Sequence, residues 1–124
     1  MITIELINKY IAGEDGPNFY WRGLPDDFLR LLNELHILGK ENGHRIEIHR
    51  FPFVTTKLEI IAESIDDQKD LVKVISNQVY ISLDKMYWRE ICFLMLSVSY
   101  EEGHNYVEFH DVIEMANFII SSEA

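Results

Sequence analysis

The chain has 124 residues and a mass of 14.6 kDa, and 48% of its residues are hydrophobic. A chain of this length can bury a hydrophobic core of its own, and its one cysteine, Cys92, excludes an intramolecular disulfide. Twenty-one acidic and 11 basic side chains give a formal net charge of -10, which opposes binding to nucleic acid and to anionic membranes and favours a basic protein partner.

The sequence has no segment suited to entering a membrane. No apolar run approaches the roughly 18 residues that a membrane helix needs. The residues after Met1 lack the basic and then apolar regions of a signal peptide. These features predict a cytoplasmic protein.

The first half of the chain has the pattern strand, strand, helix, strand, strand. Residues 2–7 are rich in β-formers, and a turn separates them from a second strand that begins at Phe19. Pro25 and two following aspartates suit the first turn of a helix. Alternation over 45–49 and an apolar stretch at 58–61 predict two further strands. The apolar stripe of the helix comprises Phe28, Leu31, Leu32, Leu35 and Leu38.

The second half has the same order of elements. They are a hairpin of residues 71–75 and 79–83 joined through 76–78, a helix to about Tyr100, and strands at 106–110 and 118–121. Asp84 is suited to cap the helix, because its carboxylate can accept hydrogen bonds from the first free N–H groups. Residues 112–116 are either a short helix or a loop.

Positions about 60 residues apart match between the two halves. The matches include Phe19-Tyr20-Trp21 with Val79-Tyr80-Ile81, and Gly43-His44 with Gly103-His104. Self-similarity of this kind indicates an internal repeat. We therefore predict one α+β domain, residues 1–124, with antiparallel sheets and two helices. It is built from two pseudo-repeated strand-strand-helix-strand-strand halves, residues 1–64 and 65–124.

The second helix is apolar on the flank where the first helix is polar. The flank residues are Phe93, Leu94, Leu96 and Tyr100, at the positions that match Asn33, Glu34, His36 and Lys40. A helix that is apolar all round is normally buried. Either other parts of the chain cover this flank, or part of it is a surface for a partner or a second copy.

The negative charge is concentrated in the second half. Residues 1–62 have seven basic and nine acidic side chains, whereas residues 63–124 have four and twelve. Caps and a solvated face account for many of these acids, but their crowding favours a cationic partner. The predicted partner-binding residues are the acids Asp66, Asp67, Asp70, Glu101 and Glu102 and an aromatic anchor, Tyr87 or Tyr100.

The histidines and the cysteine allow an enzyme as an alternative. His49 with His110, and Glu47 with Glu108, would form an acid–base or metal site if the two halves brought these strands together. Otherwise the histidines are structural and bond locally. Cys92 lies on the apolar stripe of the second helix, which favours a buried structural thiol. We predict no catalytic residue, no metal and no cofactor.

Two pairs of segments resemble a known class of proteins. The first pair is Phe19-Tyr20-Trp21-Arg22-Gly23, followed by the helix start Pro25-Asp26-Asp27-Phe28-Leu29-Arg30-Leu31-Leu32. The second pair is GHRIEIH at 43–49 and GHNYVEFH at 103–110. In a short acidic chain, these segments resemble the bacterial immunity proteins of contact-dependent inhibition and other polymorphic toxin systems.

The resemblance implies a non-catalytic cytosolic inhibitor. Such a protein binds the C-terminal toxin domain of its own system, often a basic nuclease, and blocks the active site or the substrate groove. A homo-oligomeric adaptor, in which the apolar flank of the second helix makes a self-interface, is a further alternative.

Overall fold

The computed structural model describes residues 1–7, 18–66, 71–99 and 117–121. These residues form eight strands and two α-helices, and a single 3-10 turn, Ile48–Arg50, follows the third strand. In chain order the elements are β1 (Ile2–Ile7), β2 (Asn18–Arg22), α1 (Pro25–Lys40), β3 (Arg45–Glu47), β4 (Val54–Thr56), β5 (Glu59–Ser64), β6 (Leu71–Ile75), β7 (Gln78–Leu83), α2 (Lys85–Val98) and β8 (Asn117–Ser121).

The described strands form two four-stranded sheets. Their orders are β4-β1-β2-β8 and β3-β5-β7-β6. The prediction of an α+β fold with two helices is confirmed. The sheets are mixed instead of antiparallel throughout, because β4 and β8 join the first sheet in parallel and β5 pairs in parallel with β7.

The two halves of the chain exchange strands. Each half has an antiparallel hairpin, β1–β2 or β6–β7, that leads into a helix. A later strand of each half then pairs with the hairpin of the other half: β5 lies beside β7, with Ile60 opposite Val79, and β8 lies beside β2, with Phe118 opposite Phe19. The internal repeat itself stays a prediction.

Two local predictions differ from the structure in detail. The hairpin β6–β7 closes through two loop residues, Ser76 and Asn77, instead of three, because Ile75 pairs directly with Gln78. Ser76 has a φ of 56° whereas Asn77 does not have a positive φ, and this combination is that of a type II′ hairpin turn. The strand predicted over 45–49 ends at Glu47, where the 3-10 turn begins.

One hydrophobic cluster contains side chains from both sheets and both helices. The largest side chains that are almost fully buried include Trp88, Phe19, Phe28, Ile2, Ile4 and Leu31. Among the described residues, neither helix is long and apolar enough to cross a membrane. The predicted residue range of the single domain and its two halves stays a prediction.

Asp27 ties the start of α1 to the beginning of the chain. Its Oδ2 accepts hydrogen bonds from the Met1 ammonium group at 2.7 Å and from the Leu24 N–H at 3.1 Å. Burial of this carboxylate favours its neutral form, but the two hydrogen bonds outweigh that effect and hold its pKa below the ordinary 3.8. The prediction that Asp26 and Asp27 belong to a helix start is confirmed.

We expect Asp27→Asn to destabilise the protein by roughly 1.5–3 kcal/mol at pH 7, the usual range for hydrogen bonds to a charged group. Because the pKa is lower in the folded than in the unfolded chain, this stabilisation exists above the unfolded pKa near 3.9 and is lost as the pH falls through the folded pKa. Urea unfolding of the wild type and of Asp27→Asn at pH 7 and at pH 3 measures the loss of stability and its decrease at low pH.

The neighbouring carboxylate provides the control for this experiment. Asp26 lies in the same helical turn and is exposed. Asp26→Asn should change the free energy of unfolding at pH 7 by less than about 0.5 kcal/mol. Equal effects of the two substitutions would contradict the role assigned to Asp27.

The end of α1 and the start of α2 are joined by three side chains. Arg89 donates from Nε and Nη2 to the Gly39 carbonyl, at 3.2 and 3.0 Å. Asn42 accepts from the Lys85 N–H at 2.9 Å and donates to the Asp84 carboxylate at 3.1 Å. Each helix end thus supplies partners to free backbone or capping groups of the other.

The close approach of the helices leaves little room for a side chain at Gly39. A Cβ there would lie 3.1 Å from the Arg89 Cα and 3.2 Å from the Arg89 nitrogen, which are backbone atoms of α2. The end of α1 and the start of α2 are therefore held close together.

Candidate partner-binding surface

Helix α2 divides into a buried side and an exposed side. The buried residues recur at the spacing of one helix face: Trp88, Ile91, Met95 and Val98. The side that faces solvent, which we call the α2 stripe, comprises Met86, Arg89, Glu90, Phe93 and Ser97. This stripe is the largest departure from a polar exposed helix face in the described part of the chain.

The α2 stripe exposes two large apolar side chains. Phe93 is 67% exposed and Met86 is 54% exposed, and their separation of seven positions places them on the same side of the helix. An open surface depression lies beside them, and all of its lining residues belong to α2: Met86, Arg89, Glu90, Phe93 and Leu94. Phe93 and Met86 are therefore accessible to another protein.

The α2 stripe lies on a helix that is capped at its N-terminus. As predicted, Asp84 is the N-cap, and its Oδ1 accepts from the Met86 N–H at 2.9 Å. This bond, together with the bond from Asn42, lowers the pKa of Asp84 from its ordinary value. The cap is therefore ionised at neutral pH and stabilises the first turn, which contains Met86.

The apolar flank of α2 is only partly covered by the chain. Leu94 and Leu96 are half-buried, and Leu94 packs against the hydrophobic core. Phe93 is 67% exposed, so residues 1–7, 18–66, 71–99 and 117–121 do not cover the flank at this position. Tyr100, the last residue of the flank, lies outside the described residues.

The structure describes two of the predicted partner-binding residues. Asp66 is exposed two positions after the end of β5. Tyr87 is half-buried and packs against the core, which leaves less of its ring for a partner than Phe93 has. The other predicted residues lie outside the described part of the chain: Asp67, Asp70, Tyr100, Glu101 and Glu102.

The site prediction omitted Phe93 and Met86. Phe93 belonged to the apolar flank noted in the sequence, but the aromatic anchor was predicted to be Tyr87 or Tyr100. The sequence contained a signal for both residues. Met86 and Phe93 are seven positions apart and so share one helix face, which differs from the face formed by residues 88, 91, 95 and 98 of the core.

The described and undescribed parts of the chain differ strongly in charge. The described residues include nine lysines and arginines and eleven aspartates and glutamates, whereas the remaining residues include two and ten. Most of the net charge of -10 therefore belongs to residues whose positions are not described. The predicted acidic surface stays a prediction.

The described histidines bond to nearby groups. His49 Nδ1 accepts from the Ile60 N–H of β5 at 2.9 Å, and His44 Nε2 lies 3.0 Å from the Glu41 carboxylate. The bond with His44 lowers the pKa of Glu41. His110 and Glu108, the other half of the alternative enzyme site, lie outside the described residues.

Two further predictions concern metal binding and the thiol. No group of three metal-ligating side chains occurs among residues 1–7, 18–66, 71–99 and 117–121. Cys92 is half-buried, and burial raises the pKa of its thiol to about 11. A thiol with this pKa remains protonated at neutral pH, which agrees with the structural role predicted for it.

Comparisons with known proteins give no relative: no family model, no curated protein and no solved structure matches the chain.

Proposed function

We propose that this chain is a non-catalytic immunity protein that binds and neutralises the toxin domain of its own polymorphic toxin system in the cytoplasm. In this proposal the target is a basic nuclease domain, and the bound protein blocks its active site or substrate groove. The observation that best supports the proposal is the exposure of Phe93 and Met86 on a capped helix of an acidic chain.

The exposed apolar side chains and the negative charge support different parts of such an interaction. Aromatic side chains that enter a partner's pocket supply most of the binding energy in many interfaces, and the α2 stripe presents Phe93 in that way. A net charge of -10 attracts a basic domain from a distance and accelerates association at low ionic strength. Carboxylates can also occupy the positions that nucleic-acid phosphates would take.

A growth assay tests this function. The C-terminal domain of a large secreted toxin encoded beside the gene is expressed in the cytoplasm with and without this protein. We expect the domain alone to stop growth and co-expression to restore it. An unrelated nuclease toxin domain serves as the control and should stop growth in both cases.

The same experiment has a clear negative result. If co-expression leaves the cells growth-arrested although both proteins are present at comparable levels, the proposed function is wrong. If the purified protein itself cleaves a substrate, the non-catalytic part of the proposal is wrong.

A further inference from the structure

The α2 stripe is not needed to hold the core together. Core contacts of the helix come from the opposite side, where Trp88 and Met95 are at most 1% exposed. The apolar surface of Phe93 and Met86 therefore stays in contact with water, and it contributes none of the stabilisation that burial would give. Exposed apolar residues grouped on one side of an element are typical of interaction surfaces.

The stripe is also held in place before any partner binds. The Asp84 cap fixes the first turn of α2, and the Arg89 guanidinium, bonded to the Gly39 carbonyl, fixes the next turn against α1. A partner that docks here does not have to order the helix, so less of its binding energy is lost.

The charge beside Phe93 indicates the chemistry of the partner. Glu90 is exposed within the stripe and makes no ion pair with a described residue. Arg89, the neighbouring cation, keeps its charge, but its Nε and Nη2 donate to the Gly39 carbonyl and it forms no ion pair with Glu90. The acid that remains available would pair with a lysine or arginine at the edge of a partner's apolar pocket.

A second copy of this chain fits the stripe less well. Two copies would each have a net charge of -10 and repel each other. A basic partner is attracted by the same charge and avoids this repulsion.

From these observations we infer that the α2 stripe is the docking surface for a basic protein domain. Phe93 and Met86 enter an apolar pocket of that domain, and Glu90 pairs with a cation at the edge of the pocket. This inference rests on the proposed function, because it assigns the contact surface for the same partner.

The test measures the affinity of the full chain for the toxin domain used in the growth assay. We expect Phe93→Ala to weaken binding by at least about 30-fold, the level of an interface hot spot. Glu90→Gln should slow association, and the slowing should disappear at high salt. The matched control is Leu29→Ala on α1, whose side chain is 40% exposed, and it should change the affinity less than about threefold.

Each result distinguishes the inference from the function on which it rests. If wild-type protein restores growth but the affinity of Phe93→Ala for the toxin domain is within threefold of the wild-type affinity, the docking surface is wrong and the function stands. If wild-type protein neither restores growth nor binds the domain, the function is wrong, and this inference with it. If wild-type protein elutes as a dimer and Phe93→Ala as a monomer, the occupant of the stripe is a second copy and the inference is wrong.

Discussion

Replacing Trp88 by alanine should destabilise the protein by roughly 3–5 kcal/mol, the usual cost of removing a large buried aromatic ring. The side chain is 1% exposed and lies on the core side of α2. Its Nε1 donates to the Glu63 carbonyl of β5 at 2.7 Å, so the substitution also removes a bond between the helix and a sheet. Urea unfolding followed by circular dichroism measures the change.

The same helix offers a matched control. Phe93→Ala also removes an aromatic ring from α2, but the ring is 67% exposed, and we expect a change within about 0.5 kcal/mol. Trp88→Phe keeps most of the ring and removes the donor, so its effect should be intermediate. Similar losses for Trp88→Ala and Phe93→Ala would show that the two faces of α2 are assigned wrongly.

The second large effect concerns the strand nearest the end of the sequence. Ile120 of β8 is 1% exposed, lies opposite Trp21 of β2 and belongs to the hydrophobic core. We expect Ile120→Ala to destabilise the protein by roughly 2–5 kcal/mol, because it removes buried methyl groups and leaves a cavity in the hydrophobic core. The urea concentration at the unfolding midpoint should fall, while the slope of the unfolding free energy against urea concentration stays the same.

A second isoleucine serves as the reference for this measurement. Ile75 also lies on an outer strand of the described sheets, β6, but it is 48% exposed. Ile75→Ala should cost about 1 kcal/mol or less. An unchanged urea midpoint for Ile120→Ala would mean that the Ile120 side chain is not part of the hydrophobic core.

The local features of the fold could be predicted because they depend on residues close in the chain. The helix start at Pro25 and the Asp84 cap each follow from a short segment and the free N–H groups that it must satisfy. The hydrophobic stripe of α1 was also predicted correctly, except that Leu32 is half-buried. The loop of the β6–β7 hairpin was predicted one residue too long, because a positive φ at Ser76 is not a preference visible in its sequence.

The candidate site was predictable only in part. The sequence shows that α2 has more apolar positions than one buried face requires, which marks the helix as unusual. Which of those positions remain exposed depends on how α1 and the sheets cover the helix. This is why Phe93 is exposed and Tyr87, one of the two expected anchors, packs against the core.

The residues alone were thus enough to predict the α+β class, the two helices, their N-terminal ends and the excess of negative charge. The pairing of β5 with β7 and of β8 with β2, and the exposure of Phe93, became known from the folded chain. Helix periods and caps arise from neighbouring residues, whereas strand partners and exposed faces depend on the packing of segments that are distant in the chain.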